Sequence, residues 1–306
     1  RWPPNPVADP MAEPAPEHGL GADTIGTLLS TGRAALGGTA EAARIARILL
    51  TELSGRGAAS LLAHPEATLK ARDAARYRSA LERLAAGEPL AYVLGCAEFY
   101  GRRFEVSSAT LIPRDDTGTL VEAVLDRLGR RVRPRILELG TGTGIIAVTL
   151  ALECAARGMR PEITASDLDP DALAVARRNA ATLRAGEITF IEGDWWSPVP
   201  DSRFEVVVSN PPYVETGYRG LHELAHEPRH ALVAGPDGLD ALRCIARRAP
   251  HHLEPGGFVA VEHGADQADA VASLFTAAGL EVTTLVHDLA GRPRVTVARH
   301  EDSGAC

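Results

Sequence analysis

The sequence predicts a doubly wound α/β domain, with helices on both faces of a mostly parallel sheet, preceded by a small helical domain. Three observations carry this reading. From residue 135 onward, short apolar runs alternate with helical patterns. The first of those runs is followed by a glycine-rich turn that opens a helix. Residues 22–87, by contrast, show only the helical period.

Taken in order, residues 1–21 hold Pro3, Pro4, Pro6, Pro10, Pro14 and Pro16 and no apolar stretch. They read as a disordered leader, not a signal peptide. In residues 22–88, Ile45, Ile48, Leu49 and Leu53 share one helix face, as do Tyr77, Leu81 and Leu84, and Gly87 is a natural stop. No catalytic constellation falls there. Its arginines (Arg44, Arg47, Arg56, Arg72, Arg76, Arg78 and Arg83) read either as solvated helix faces or as a docking surface for a partner. Residues 89–113 place Phe99, Tyr100, Phe104 and Val106 among Gly95 and Gly101, which predicts a short hairpin linking two domains. The α/β domain then spans 114–300, with a tail at 301–306.

Within that domain, strands are predicted over 136–139, 162–166, 188–191, 204–209 and 258–261, with 280–286 and 295–298 closing the sheet as a pair. Val206, Val207 and Val208 form the unbroken apolar run of a strand buried on both faces. Asp169 reads as an N-cap, with Pro170 at the first helical position.

Composition narrows the function. With 306 residues, 45% of them hydrophobic, the chain can bury a sizeable core. A net charge of −8 argues against a protein that grips nucleic acid through its phosphates. Cys96, Cys154, Cys244 and Cys306 stand apart, with no CxxC and no metal-ligand spacing, so no metal is expected. Isolated cysteines suit a reducing compartment, and no run is apolar enough to span a membrane, so a cytoplasmic location is expected.

Four clusters carry chemistry. Glu138 and Leu139 lead into Gly140-Thr141-Gly142-Thr143-Gly144, where glycines let a ligand approach the backbone and a helix start offers free N–H groups. Asp167, at the end of the next strand, is placed to accept from both hydroxyls of a ribose; Asp169 competes for that role. After the third strand, Asp194 and Trp195 are placed to contact an adenine, with Trp196 either there or in the core. These three fit a dinucleotide or S-adenosylmethionine alike. Ser209-Asn210-Pro211-Pro212-Tyr213 decides between them. The prolines stiffen the loop, the side-chain carbonyl of Asn210 and the backbone carbonyl of Pro211 can hold a planar amino group, and Tyr213 offers a face for stacking. Hydride transfer needs no such arrangement, so the expected cofactor is S-adenosylmethionine and the expected reaction N-methylation.

The chain resembles the HemK family of glutamine N(5)-methyltransferases, which modify peptide-chain release factors. The resemblance runs over residues 22–299. It includes Gly95-Cys96-Ala97-Glu98-Phe99-Tyr100-Gly101, Leu111-Ile112-Pro113-Arg114, the glycine turn, Gly193-Asp194-Trp195, Asn210 to Tyr213, Glu227-Pro228, Asp237-Gly238-Leu239, Glu262-His263-Gly264 and residues 288–295. It implies a class I S-adenosylmethionine-dependent methyltransferase fold and a helical N-terminal domain that helps recognise a release factor. It also implies cofactor contacts from Gly140 to Gly144, Asp167, Asp194, Trp195 and Asn210. Asn210, Pro211, Pro212 and Tyr213 would be catalytic, with Phe99, Asn210, Pro211 and Tyr213 touching substrate. One departure stands out. Asp115 replaces the family's proline and Gly118 its glutamate. A different amide, or the adenine amino group of nucleic acid, stays open as the acceptor.

Overall fold

The computed structural model describes residues 23–300; the predicted leader and tail lie outside the described residues. The chain divides after Gly87 into two compact units.

The first unit is helical: α1 (Ile25–Ala35), α2 (Ala40–Ser54), α3 (Ala58–Ala63) and α4 (Ala71–Ala85). Thr24 and Thr39 cap α1 and α2 by accepting the N–H of Thr27 at 3.2 Å and of Ala42 at 3.0 Å. The buried stripe of α2 is Ala42, Ala46, Leu49 and Leu50, not the predicted Ile45, Ile48, Leu49 and Leu53, of which only Leu49 is fully buried. The cause is close helix packing. A Cβ added to Gly32 of α1 would stand 3.0 Å from the Ala46 methyl, so small residues take the centre of the contact and isoleucines its margin. On α4, Tyr77 and Leu81 are buried as predicted while Leu84 is half-buried.

The second unit opens with a short helix that periodicity does not reveal, α5 (Leu90–Leu94), and the hairpin of β1 (Cys96–Phe99) and β2 (Arg102–Glu105). Tyr100 and Gly101 turn it with φ of 52° and 68°, the paired positive values of a tight hairpin turn. The hairpin is built into this unit. Phe99 and Phe104 are 2% and 0% exposed within its core. Asn179 fastens it, accepting from Glu105 N at 2.7 Å and donating to Glu105 O at 3.0 Å and Thr143 O at 2.9 Å.

The remaining elements are α6 (Thr117–Leu128), β3 (Arg135–Leu139), α7 (Ile145–Ala156), β4 (Glu162–Asp167), α8 (Pro170–Leu183), β5 (Ile188–Glu192), β6 (Phe204–Ser209), α9 (Asp240–His252), β7 (Leu253–Glu262), α10 (Ala268–Ala277), β8 (Leu280–His287) and β9 (Pro293–His300). The seven-stranded sheet runs β5-β4-β3-β6-β7-β9-β8. The first five strands are parallel, and β9 runs antiparallel between β7 and β8. Strands β5 and β8 are the two edges, and the pairing of β8 with β9 slips register between Val282 and Thr284 and again between Val286 and His287.

Both faces of the sheet are covered. Ile136, Val206, Val208, Phe258 and Ala260 pack with α6 and α7; Leu137, Leu139, Val207, Val259 and Val261 pack with α9 and α10. Double burial is why these strands read as unbroken apolar runs. From β3 the chain builds outward to β4 and β5, then crosses to β6 and β7. That reversal opens a crevice at the carboxyl ends of β4, β3 and β6.

Candidate active site

The crevice holds a cavity of about 400 Å³, walled by the turns after β3, β4, β5 and β6, by residues 109–114 and 117, and by residues 230–241. All five residues of the glycine turn except Gly144 lie on its wall. The turn is stitched to the next strand: Gly140 N and Thr141 N both donate to Ser166 O at 2.9 Å. Gly144 closes the turn at φ 80°, and a Cβ there would press on Ala176 at 3.1 and 3.2 Å, so only glycine suits both the backbone and the close approach of α8. Gly144→Ala is therefore expected to destabilise this unit by about 1–3 kcal/mol, read as a lowered midpoint in thermal or urea melting.

Glu138 is buried beneath the turn. Its Oε2 accepts from Thr141 Oγ1 at 2.6 Å and from Ala147 N at 3.0 Å, while Oε1 is buried without a partner. Burial pushes its pKa up to about 8 against the pull of those two donors. The folded state thus holds the proton more tightly than the unfolded chain does. Its stabilising effect is complete below the ordinary value of 4.5 and is lost as pH rises through about 8. Glu138→Gln should accordingly raise the melting temperature of the ligand-free protein more at about pH 9 than at about pH 5. An equal shift at both pH values would contradict the assignment.

Asp167 reaches the wall and Asp169 does not. Asp167 Oδ2 accepts from Gly142 N at 2.7 Å and Oδ1 from Asp169 N at 3.0 Å, leaving each oxygen further acceptor capacity. Burial raises its pKa, opposed by those two N–H groups. Asp169 caps α8 as predicted, accepting from Asp171 N at 2.8 Å. Asp194 and Trp195 are on the wall, and Trp195 has φ 43°, a conformation rare for a bulky side chain. Trp196 is core: it is 2% exposed, stacks on His252 at 4.4 Å and donates to Cys244 O at 3.2 Å.

The loop after β6 splits. Asn210 and Pro212 line the cavity, whereas Pro211 and Tyr213 stand behind the wall. Asn210 Nδ2 donates to Thr117 Oγ1 at 3.2 Å, and no donor among the described residues reaches its Oδ1. Tyr213, for which a stacking face is predicted, is half-buried and off the cavity wall. Its hydroxyl donates to Glu262 Oε1 at 3.2 Å, which gives the half-buried phenol a partner. Phe99 lies in the core of the hairpin, edge-on to Phe104 and off the cavity wall. Gln267 Nε2 donates to Tyr213 O at 3.0 Å, and Gly238 (φ 72°) lies so close to that carbonyl that any Cβ would collide with it.

Sequence reasoning gave no role to three residues that the fold brings in. Thr117 enters from the first turn of α6. Glu227 is buried and accepts from Ile112 N at 3.0 Å and from Arg114, which holds the 112–114 segment against the cavity. Glu262 sits behind Tyr213. None is adjacent in sequence to the residue it serves. The two departures from the resembled family stay off the wall. Asp115 is exposed, and a Cβ on Gly118 would meet only Tyr100, at 4.0 Å.

Besides the buried Glu138, which holds its proton up to about pH 8, three carboxylates line the cavity (Asp167, Asp194 and Asp240) against two basic side chains, Arg114 and His230. Such a wall favours a cationic ligand over a multiply phosphorylated one. Beside it, Asn210 offers an open acceptor. The cavity is thus an acidic one at a strand-order reversal, with Asn210 on its wall.

Comparison with known proteins agrees. The profile of the PrmC N-terminal domain matches residues 27–95, and that of the methyltransferase small domain matches residues 113–239. A release factor glutamine methyltransferase from Bordetella pertussis is 44% identical over 254 residues, covering 82% of this chain and 92% of the relative. One from Cereibacter sphaeroides is 44% identical over 272 residues, covering 87% and 94%. One from Vibrio cholerae is 39% identical over 259 residues, covering 84% and 89%. The identity, spread over nearly the whole of each relative, shows that the chain belongs to the release factor glutamine methyltransferase family.

Proposed function

We propose that the chain transfers a methyl group from S-adenosylmethionine to the side-chain amide nitrogen of a glutamine in a peptide-chain release factor. The observation that carries this is Asn210, with its Oδ1 open on the wall of an acidic cavity. Bound S-adenosylmethionine supplies a methyl group activated by the positive sulfur that carries it. The residues present fit that group. Gly140 to Thr143 and the start of α7 would lie along its methionine part, with the partnerless oxygen of Glu138 available to its ammonium. Asp167 would hold the ribose, and Asp194 and Trp195 the adenine side.

An amide nitrogen is a weak nucleophile because its lone pair is delocalised. The protein's task is therefore mainly orientation in a closed site. Asn210 Oδ1 accepts an N–H of the substrate amide, points the nitrogen at the donor, and strengthens its hold as positive charge builds there. The helical unit is the proposed recognition surface for the protein substrate, with the domain boundaries placed at 22–88, 89–113 and 114–300. No described helix is long and apolar enough to cross a membrane, and the substrate implies a cytoplasmic setting.

The test is incubation with methyl-labelled S-adenosylmethionine and a release factor, followed by mass spectrometry of the labelled residue. Label on a single glutamine is expected. Binding of S-adenosylmethionine without any labelling would overturn the substrate, and tight binding of a nicotinamide dinucleotide instead would overturn the cofactor. A fragment beginning at Glu88 should keep cofactor binding and lose most activity on the intact release factor; full activity would remove the recognition role from the helices.

A further inference from the structure

Glu262 ends β7, is 1% exposed and lies off the cavity wall. Several elements converge on its carboxyl. Tyr213 donates to Oε1 from the loop after β6. Arg294 of β9 and Asp116, just before α6, are the charges that face it, and they pair with each other at 3.2 Å. Thr117, next after Asp116, is among the groups that pull the Glu262 carboxyl toward its charged form. His263, next in sequence, turns its ring instead to Gly264 O and Thr296 Oγ1. Glu262 Oε2 is buried and has no hydrogen-bond partner.

Thr117 connects this group to the cavity. Its Oγ1 accepts from Asn210 Nδ2 at 3.2 Å, which leaves the hydroxyl hydrogen uncommitted. An ionised carboxylate can only accept. The free hydrogen of Thr117 and the partnerless Oε2 of Glu262 therefore complement each other. This matters because an asparagine amide can sit either way round with almost the same shape, and only its partners decide which end faces where. A Thr117 that gives its hydrogen to Glu262 can only accept from Asn210. Asn210 must then present its nitrogen to Thr117 and its oxygen to the cavity.

We propose that Glu262 is a positioning residue for methyl transfer: acting through Thr117, it fixes the amide of Asn210 with Oδ1 toward the substrate nitrogen. The inference rests on the reading of Asn210 as the substrate's acceptor. A protonated Glu262 would donate to Thr117 and free the Thr117 hydrogen for Asn210 Oδ1. The turned amide would then confront the substrate N–H₂ with its own N–H₂. Burial pushes the Glu262 carboxyl up to about 7, with Thr117, Tyr213 and Arg294 pulling it down and Asp116 raising it. The relay thus switches near neutrality, and turnover falls as pH drops through that value.

The experiment measures kcat, KM for the release factor and S-adenosylmethionine affinity across about pH 6–8. The enzymes compared are the parent, Glu262→Gln, Thr117→Val, Thr117→Ser and Asn210→Ala, with melting curves for each. The parent should show an acidic limb in kcat near pH 7, matching the Glu262 carboxyl. Glu262→Gln and Thr117→Val should lose that limb and about tenfold to a hundredfold in kcat, with cofactor affinity kept. Thr117→Ser, which keeps the hydroxyl, should recover most of what Thr117→Val loses. An inactive Asn210→Ala beside a Glu262→Gln of parental kcat and parental pH profile would overturn the positioning role alone. A fully active Asn210→Ala would instead overturn the reading beneath it. A parent whose kcat is flat across this range defeats the proposal without recourse to any variant.

Discussion

Asn210→Ala is expected to slow single-turnover methyl transfer by about 10²–10³ while S-adenosylmethionine binds nearly as in the parent. That is the usual cost of removing one preorganised polar contact that strengthens in the transition state. The contact is placed to act on turnover, because Asn210 lines the cavity and commits its Nδ2 to Thr117 at 3.2 Å, which leaves Oδ1 without a donor among the described residues. The competing view holds that Asn210 merely stabilises the turn after β6. It predicts that folding, cofactor affinity and activity decline together. The geometry argues otherwise, since deletion removes one side-chain hydrogen bond worth about 1 kcal/mol, and the loop keeps its backbone tie to Gln267 at 3.0 Å. Asn210→Asp retains an acceptor but sets a second carboxylate beside the one Thr117 hydroxyl. Its rate should fall between parent and alanine variant. Near-parental transfer by Asn210→Ala, with melting and cofactor titration unchanged, would remove the substrate-holding role.

The second large effect is on binding. Asp167→Ala should weaken S-adenosylmethionine binding by roughly tenfold to 150-fold, the equivalent of about 1.5–3 kcal/mol for lost hydrogen bonds to a charged group. The same carboxylate also accepts from Gly142 N at 2.7 Å, so its loss loosens the glycine turn that would lie under the cofactor. Titration calorimetry should show the drop at a melting temperature close to parental. Asp169→Ala should behave differently. It removes the cap of α8 and costs stability of about 1 kcal/mol with little change in affinity. The reverse pattern, with Asp169→Ala the poor binder, would mean that the carboxylates are exchanged.

How much of this could be read from the chain alone depended on whether the signal was local. The strands were legible because β3, β6 and β7 are buried on both faces and must be apolar at nearly every step. The cap of α8 was legible because Asp169 and Pro170 are adjacent. The loop after β6 was legible as a cluster, but the fate of each side chain in it was not. Which of Pro211, Pro212 and Tyr213 meets the cavity depends on where Glu262 and Gln267 lie, and those positions are set by β7 and α10. The trio of Thr117, Asn210 and Glu262 is spread over three elements, and each member alone looks like an ordinary helix start, turn or strand end. The burial of Phe99 was not legible, because a hairpin aromatic can face a ligand or a core with the same two-residue period. On α2 the error was angular: Ile45 and Ile48 outweigh Ala42 and Ala46 in hydrophobicity, yet close packing against Gly32 favours the smaller pair.

Strand β8, one of the two outermost strands, has a consequence for how molecules of this protein meet. A sheet border normally offers an evenly spaced ladder of amide and carbonyl groups that an extended segment of another chain can join. Along β8, exposed Glu281, Thr283, Leu285 and His287 alternate with partly covered residues, and the spacing breaks twice within eight positions. An incoming strand that aligned with the first stretch would be out of step by the second, and Glu281 adds a charge that resists dry stacking. Strand addition is thus hindered along this edge of the sheet.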